Sequence, residues 1–106
     1  MDLNKLQSEQ KEWSLRNFGE QPAYRMLLGA MEELGELAHA QLKGEQGIRT
    51  GEDHSAAKKD AIGDIVTYLA GYCNVEGINM AEAVETAWKE VSQRNWITYP
   101  KNGRTE

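Results

Sequence analysis

The sequence has little of what supports disulfide-linked, secreted or membrane proteins. It contains a single cysteine and two prolines among 106 residues, and a lone cysteine excludes an internal disulfide. Cys73 lies in an apolar stretch, where a small buried side chain is the expected role rather than a catalytic thiol. The longest apolar runs fall far short of the roughly 20 residues that cross a bilayer, and residues 1–12 lack the apolar block of a signal peptide. We therefore expect a cytoplasmic protein.

Positive charge is also scarce in this chain. Twelve Lys and Arg residues stand against seventeen Asp and Glu, which gives a formal net charge of −5. Nucleic-acid binding draws its affinity from clustered Lys and Arg that displace counterions, so a nucleic-acid polymer is disfavoured as the main partner. An acidic balance is compatible with a site that holds cations.

No segment shows the alternating pattern of a β-strand with conviction, whereas helical spacing covers most of the chain. Apolar spacing and capping residues predict four helices, at about residues 2–17, 23–43, 54–74 and 79–94. The glycine-rich segment 44–52 predicts a surface loop, and residues from about 97 to 106 predict an irregular tail. The expected fold is one all-α domain over residues 1–106, a compact four-helix bundle that is completed by oligomerisation.

The large apolar residues predict which helix faces form the core. Helix two carries a stripe with a helical repeat, made of Leu27, Met31, Leu34, Ala38 and Leu42. Helix three carries a second stripe, made of Ile62, Ile65, Val66, Leu69 and Cys73. Trp13 and Trp88 are expected in the core as well, because aromatics at helical spacing are more often core than ligand-binding residues.

Two short acidic stretches carry the strongest functional signal. Glu32, Glu33 and Glu36 lie on helix two, and Asp60 and Asp64 lie on helix three. Residues three and four apart share a helix face, so each stretch directs neighbouring carboxylates the same way. Hard cations such as Mg²⁺ prefer these oxygens and often complete their shell with substrate phosphate oxygens. The sequence thus predicts a magnesium-dependent phosphate site between two helices.

Plainer interpretations of these residues stay open, since acidic runs are common on the solvated faces of helices. Glu36 and His39 match the Glu-x-x-His spacing of di-iron bundles. A di-iron site requires two such motifs, and the sequence contains only this one. His39 is better interpreted as a polar residue near the site or at the surface. Asp53, His54 and Ser55 are consecutive and therefore cannot converge as a nucleophilic triad.

Phosphate chemistry also requires positive charge near the acids, because Mg²⁺ together with Arg or Lys stabilises transferring phosphoryl groups. Lys89 and Arg94, at the end of helix four, are the first candidates. Lys43 and Arg49 are placed to reach in from the loop that follows helix two. These four residues are the predicted substrate-binding cations.

The acidic pattern resembles that of the MazG-like, all-α nucleoside triphosphate pyrophosphohydrolases. Their pattern is Glu-Glu-x-x-Glu on one helix and, after a loop, Glu-x-x-Asp on the next. Glu32, Glu33 and Glu36 match the first half in full, and Asp64 matches the end of the second. Ala61 stands where the family usually has Glu. The resemblance spans nearly the whole chain, including the Ala-Trp-Lys-Glu-Val segment of helix four.

The resemblance implies hydrolysis of a nucleoside triphosphate between its α and β phosphates, to the monophosphate and pyrophosphate. Glu33, Glu36 and Asp64, together with Asp60 in place of the missing Glu, would hold Mg²⁺, with Mn²⁺ as an alternative ion. Glu32 or Glu36 would orient or deprotonate the attacking water. The resemblance also implies a homodimer or homotetramer that regulates or cleans the (d)NTP pool.

Two hypotheses compete with hydrolysis. Since Ala61 removes one acid of the second pair, the chain could be a non-catalytic or weakly active helical oligomer that binds nucleotides or a protein partner. A plain structural bundle is the other alternative. A structural bundle without a metal site would show no change in melting temperature when metal is added. An ion that binds only the folded state must instead stabilise that state.

Overall fold

The computed structural model describes residues 1–105 and leaves Glu106, the end of the predicted tail, outside the described residues. The described part of the chain forms four α-helices and no β-strand. They are α1 (Leu3–Phe18), α2 (Ala23–Gln46), α3 (His54–Glu76) and α4 (Met80–Val91). The predicted all-α class is confirmed. No helix within residues 1–105 combines the length and apolar character needed to cross a bilayer.

Short polar side chains begin three of these helices where the sequence predicts them. Asp2, Asp53 and Asn79 each accept a hydrogen bond from the backbone amide three residues further on, at 2.8, 3.0 and 2.9 Å. Such caps satisfy amide groups that have no partner inside the first turn. Pro22 precedes α2, which has no side-chain cap.

The end of α2 differs from the prediction, since the helix continues through Gly44 to Gln46. Within its last turns the Gln41 side chain donates to Glu45 Oε1 at 2.6 Å, a pairing that favours continued helix. Gly47 then adopts the left-handed conformation, with φ of 67°, and ends the helix. The connecting segment to α3 is therefore 47–53, shorter than the predicted loop.

α2 and α3 pack along most of their length as an antiparallel pair. Gly29 lies against the Tyr68 ring so closely that an added Cβ would overlap the ring carbons. Gly71 meets Met26 in the same way, with its would-be Cβ 2.9 Å from the sulfur. Because the helices are antiparallel, four residues forward from Gly29 on α2 correspond to four residues back from Tyr68 on α3. Position 33 is therefore level with position 64. Small residues thus set both the closeness and the register of this pair.

The remaining helices attach through α1, which packs against α3 and against α4. Gln7 holds the junction, because its Nε2 donates to the Ile78 carbonyl at 2.7 Å and its Oε1 accepts from the Met80 amide at 2.9 Å. The chain has a radius of gyration of 17.5 Å and extents of 49 × 42 × 26 Å. A compact chain of this length has a radius of gyration of about 13 Å. The bundle is therefore open.

The buried apolar core consists mostly of small residues: Met26, Ala30, Ala40, Ala61, Ala70, Cys73 and Met80. The predicted large-residue stripe of α2 is exposed, since Leu27, Met31, Leu34 and Leu42 are 45 to 64% accessible. Trp13 and Trp88 are also exposed. The prediction that these side chains form the core was wrong, because α2 and α3 approach each other through glycine and alanine.

Candidate metal and phosphate site

Four of the predicted acids lie near one another beside the seam between α2 and α3. Glu33 is half-buried there, level with Asp64 on the opposite helix. Desolvation raises the pKa of Glu33 above its ordinary value, and the negative charges of Glu36, Asp64 and Glu32 raise it further. Because water and salt screen repulsion between exposed charges beyond about 8–10 Å, these carboxylates lie near one another and form one electrostatic cluster. We call Glu32, Glu33, Glu36 and Asp64 the acid cluster.

The acid cluster lacks compensating charge in the described structure. The ion pairs within residues 1–105 lie elsewhere, between Arg49 and Glu52 at 3.6 Å, between Arg94 and Glu90 at 3.2 Å, and between Arg104 and Glu90. Like charges brought together without a counterion are costly, and the cost grows as water is removed. The negative charge of the acid cluster is therefore not balanced by an ion pair within residues 1–105.

The donor chemistry of the cluster fits a hard divalent ion. All its ligand atoms are carboxylate oxygens, which Mg²⁺ and Mn²⁺ accept readily. In the part of the chain that is described, no three acidic, histidine or cysteine side chains already stand in a ligating arrangement. Mg²⁺ is commonly held by one or two carboxylates together with water and substrate phosphates. Glu33 and Asp64, with Glu36, are the residues that would hold it here.

Asp60, the other predicted acid of α3, lies apart from the acid cluster. Ala61 is 2% exposed and faces α2 within the seam, level with Glu36. Asp60 is exposed, and its position is rotated about 100° around the helix from Ala61. The groups that raise the pKa of Glu33 are Glu36, Asp64 and Glu32. Within one chain Asp60 therefore belongs to a neighbouring face rather than to the acid cluster.

An open groove of about 420 Å³ borders the acid cluster. Its walls come from both helices and from the segment that joins them: Glu32, Gly35, Glu36, His39, Ala40, Glu52, His54 and Ala57. His39 lies beside the cluster, as one of the sequence interpretations had it. Glu52 and His54 were not predicted, and the signal that could have found them is the register, since the segment 47–53 returns the chain to the end of α2. His54 Nε2 donates to the Ile48 carbonyl at 3.2 Å.

The four predicted cations fall into two groups. Arg49 pairs with Glu52, a wall of the groove, and so lies at the groove's edge. Lys43 is half-buried and donates to Gln46 Oε1 at 3.2 Å, about 15 Å along α2 from Glu33. Lys89 lies in the last turn of α4 and Arg94 follows that helix, which packs chiefly against α1. A single chain thus brings Arg49 to the groove and leaves the cations of α4 with α1.

Comparison of the chain with protein-family models, with curated proteins and with solved structures finds no match. The MazG-like assignment therefore remains a prediction from the motif residues. The physical support for a function comes from the acid cluster, the groove beside it and the open apolar faces.

Proposed function

We propose that the protein hydrolyses nucleoside triphosphates between the α and β phosphates, in a Mg²⁺-dependent reaction that yields a nucleoside monophosphate and pyrophosphate. The observation that carries the proposal is the uncompensated acid cluster in the α2–α3 seam, where three carboxylates act on Glu33. A concentration of oxygen donors without countercharge suits an ion that brings phosphate with it. The MazG-like motif points to the same reaction, with (d)NTP pool regulation or house-cleaning as its role.

The residues divide the work by position. Glu33 and Asp64 face each other across the seam and, with Glu36, would hold the ion. When bound, Mg²⁺ supplies charge neutralisation for phosphate oxygens and a lowered pKa for water. Glu32 and Glu36 border the groove, so either is placed to accept a proton from a water molecule there. Arg49, at the groove's edge, provides positive charge for the phosphates.

A second copy of the chain is part of the proposal, as a homodimer or homotetramer. Leu27, Met31, Leu34 and Leu42 form an exposed apolar stripe on α2, and Trp88 is exposed on α4. Contiguous apolar surfaces of this kind mark interaction sites, and a self-complementary patch favours a closed symmetric dimer. The radius of gyration of 17.5 Å also supports a chain whose faces are covered by a partner. Lys89 and Arg94 would then act at the site of the partner copy.

The reaction is tested by incubating the purified protein with a panel of (d)NTPs and Mg²⁺ and separating the products by chromatography. Monophosphate with pyrophosphate supports the proposal, whereas diphosphate with single phosphate moves the reaction to another bond. Glu36→Gln should abolish turnover. Glu45→Gln is the matched control, because Glu45 lies on the same helix and pairs with Gln41 outside the groove. Full activity of Glu36→Gln would overturn the assignment of the acid cluster.

Ala61 favours a second candidate function, a helical oligomer that binds nucleotides or a protein partner without turnover. Its buried methyl group occupies a seam position level with Glu36, where an acid would have extended the cluster. Calorimetric titration with non-hydrolysable nucleotide analogues distinguishes the two. Binding with no product from any of the (d)NTPs would favour this second function.

A further inference from the structure

The C-terminal tail, residues 92–105, carries positive charge, unlike the chain as a whole. It contains Arg94, Lys101 and Arg104 and no acidic residue, whereas the full chain has a formal net charge of −5. Two of these cations meet a single acid of α4. Arg94 Nη2 donates to Glu90 Oε1 at 3.2 Å, and Arg104 Nη2 donates to the same oxygen. Two positive groups on one carboxylate leave one positive charge uncompensated at this end of the molecule.

The tail folds back so that its end meets its beginning. The Asn95 amide donates to the Gly103 carbonyl at 2.8 Å, and the Gly103 amide donates to the Tyr99 carbonyl at 2.7 Å. The Tyr99 amide in turn donates to the Asn95 carbonyl at 2.9 Å. A loop whose ends are tied by its own backbone is held in place without a helix or strand. The segment that the sequence predicts as an irregular tail therefore has a defined shape.

Gly103 makes the close contact between this loop and Arg94. It is buried, and its φ of 76° lies in the left-handed region that favours glycine. An added Cβ would stand 2.9 Å from Arg94 Cβ and 3.1 Å from a ring carbon of Trp96. Neither atom is the far end of a flexible side chain, so a side chain at position 103 would displace the loop. The glycine thus allows the loop to close over Arg94.

The closed loop restricts the Arg94 side chain. Its guanidinium carbon lies 6.0 Å from the centre of the Trp96 ring, and its Nη2 is held by Glu90. Its Nε is enclosed and forms no hydrogen bond with any group of residues 1–105. The side chain is still 31% exposed, and a guanidinium has five N–H donors, of which the ion pair uses one. Arg94 therefore presents a fork of fixed direction to an acceptor outside the chain.

We propose that Gly103 and Arg104 are positioning residues for Arg94, and that Arg94 binds a phosphate group of the nucleoside triphosphate. The inference rests on the proposed function, in which Arg94 acts at the site of the partner copy. Gly103 lets the loop fix the guanidinium, which lowers the entropy lost when a phosphate binds. Arg104 neutralises Glu90, so that the charge of Arg94 acts on the phosphate.

The first test follows the Arg94 Nε–H signal in a ¹H–¹⁵N spectrum, which the variant Arg94→Lys assigns. Because Nε is enclosed, its hydrogen should exchange with water at least about tenfold more slowly than that of exposed Arg16. Gly103→Ala should remove this protection. Gly77→Ala is the matched control, since Gly77 has a φ of 68° and no atom within 4 Å of an added Cβ. Equal exchange at Arg94 and Arg16, or protection that survives Gly103→Ala, would overturn the inference.

The second test measures hydrolysis of the (d)NTP that is turned over fastest and compares two variants of Arg104. Arg104→Gln should raise KM roughly two- to fivefold with kcat retained, in the range that an exposed ion pair contributes. Arg104→Lys keeps the charge and should restore KM. Lys101→Gln is the control, because it removes the same charge from another exposed position of the tail. An unchanged KM for Arg104→Gln, or an equal rise for Lys101→Gln, contradicts a positioning role for Arg104.

Pyrophosphate, added with Mg²⁺, distinguishes this inference from the proposed function, because it carries phosphate oxygens and its binding requires no turnover. It should shift the Arg94 Nε–H signal of the unaltered protein and bind Arg104→Gln roughly two- to fivefold more weakly. Hydrolysis of a (d)NTP without this shift would overturn the role of Arg94 and its positioning residues while leaving the reaction in place. A shift without turnover of any (d)NTP would overturn the hydrolytic function and keep the phosphate-binding arginine.

Discussion

The two faces of α2 differ in the size of their apolar side chains. The inner face, which packs on α3, buries Met26, Ala30 and Ala40 beside half-buried Glu33. The outer face leaves Leu27, Met31, Leu34 and Leu42 exposed. Small residues let two helices approach closely, whereas large ones hold them apart. The close contact with α3 is therefore made mostly by small residues, and the large apolar residues Leu27, Met31, Leu34 and Leu42 lie outside it.

α3 repeats the contrast one position at a time. Ala61 and Ala70 are buried, and their large neighbours Ile62 and Leu69 are 54% and 37% exposed. A step of one residue turns the helix by about 100°, which is enough to move a side chain from the seam to the surface. Glu33 lies on the inner face with the exposed acids of the cluster beside it, and the apolar stripe lies on the outer face. Each face can therefore be perturbed separately.

The largest effect is expected on the inner face, from Glu33→Gln. The substitution keeps the shape of the side chain and removes the charge at the centre of the acid cluster. Turnover of nucleoside triphosphates should fall by about 100-fold or more, in the range seen when a group essential to charge stabilisation or proton transfer is lost. Steady-state rates of pyrophosphate release measure it. Near-normal rates would show that Glu33 is not needed for hydrolysis.

The helices and the positions of the acidic residues could be predicted from the sequence. The helix faces that become buried could not. Asp2, Asp53 and Asn79 identify three helix starts because a capping side chain acts within three residues of its own position. The spacing of Glu33 and Glu36 likewise depends on one helix alone. Which apolar face packs inward depends on contacts between helices, and here Gly29 and Gly71 decide it. The burial of Gln10 on α1 also depends on a contact between helices, because this side chain packs against Gly71 of α3.

The outer face is tested by Leu27→Lys. If a second copy covers this face, burying a charged group in the apolar interface should weaken self-association by at least about tenfold, since each 1.4 kcal/mol is a factor of ten. Sedimentation equilibrium measures the dissociation constant. Ser8→Lys adds the same charge to an exposed position of α1, away from the stripe, and serves as the control. An unaltered protein that stays monomeric at all concentrations would overturn the proposal that a second copy covers this face.

The close approach of α2 and α3 is tested by replacing one glycine inside their contact and one outside it. Gly29→Ala places a methyl group inside the Tyr68 ring, and overpacking of this kind costs about 1–3 kcal/mol, against at most about 1 kcal/mol gained in helix propensity. Gly63 has no atom within 4 Å of an added Cβ, so Gly63→Ala should stabilise by up to about 1 kcal/mol. Denaturant unfolding measures both. A Gly29→Ala variant more stable than the unaltered protein would contradict the close α2–α3 contact.

The smallest effect is the pH dependence of stability that Glu33 contributes. Its pKa is raised above the ordinary value of 4.5, so the folded state binds this proton more tightly than the unfolded state does. Between 4.5 and the raised pKa the unfolded state holds fewer protons, and the free energy of unfolding therefore falls as the pH rises. Glu33→Gln should lack this fall, whereas Glu45→Gln should retain it.

Thermal unfolding scans across this pH window, without divalent ions, give the difference in Tm between the unaltered protein and Glu33→Gln. Added Mg²⁺ should reverse the trend in the unaltered protein, because an ion that binds the charged cluster stabilises the folded state more as the carboxyl group loses its proton. A Tm difference that changes in the opposite direction would mean that Glu33 is compensated by a positive group in the assembled protein. In that case the partner copy would deliver its cations to the seam, and the inner and outer faces would be coupled through assembly.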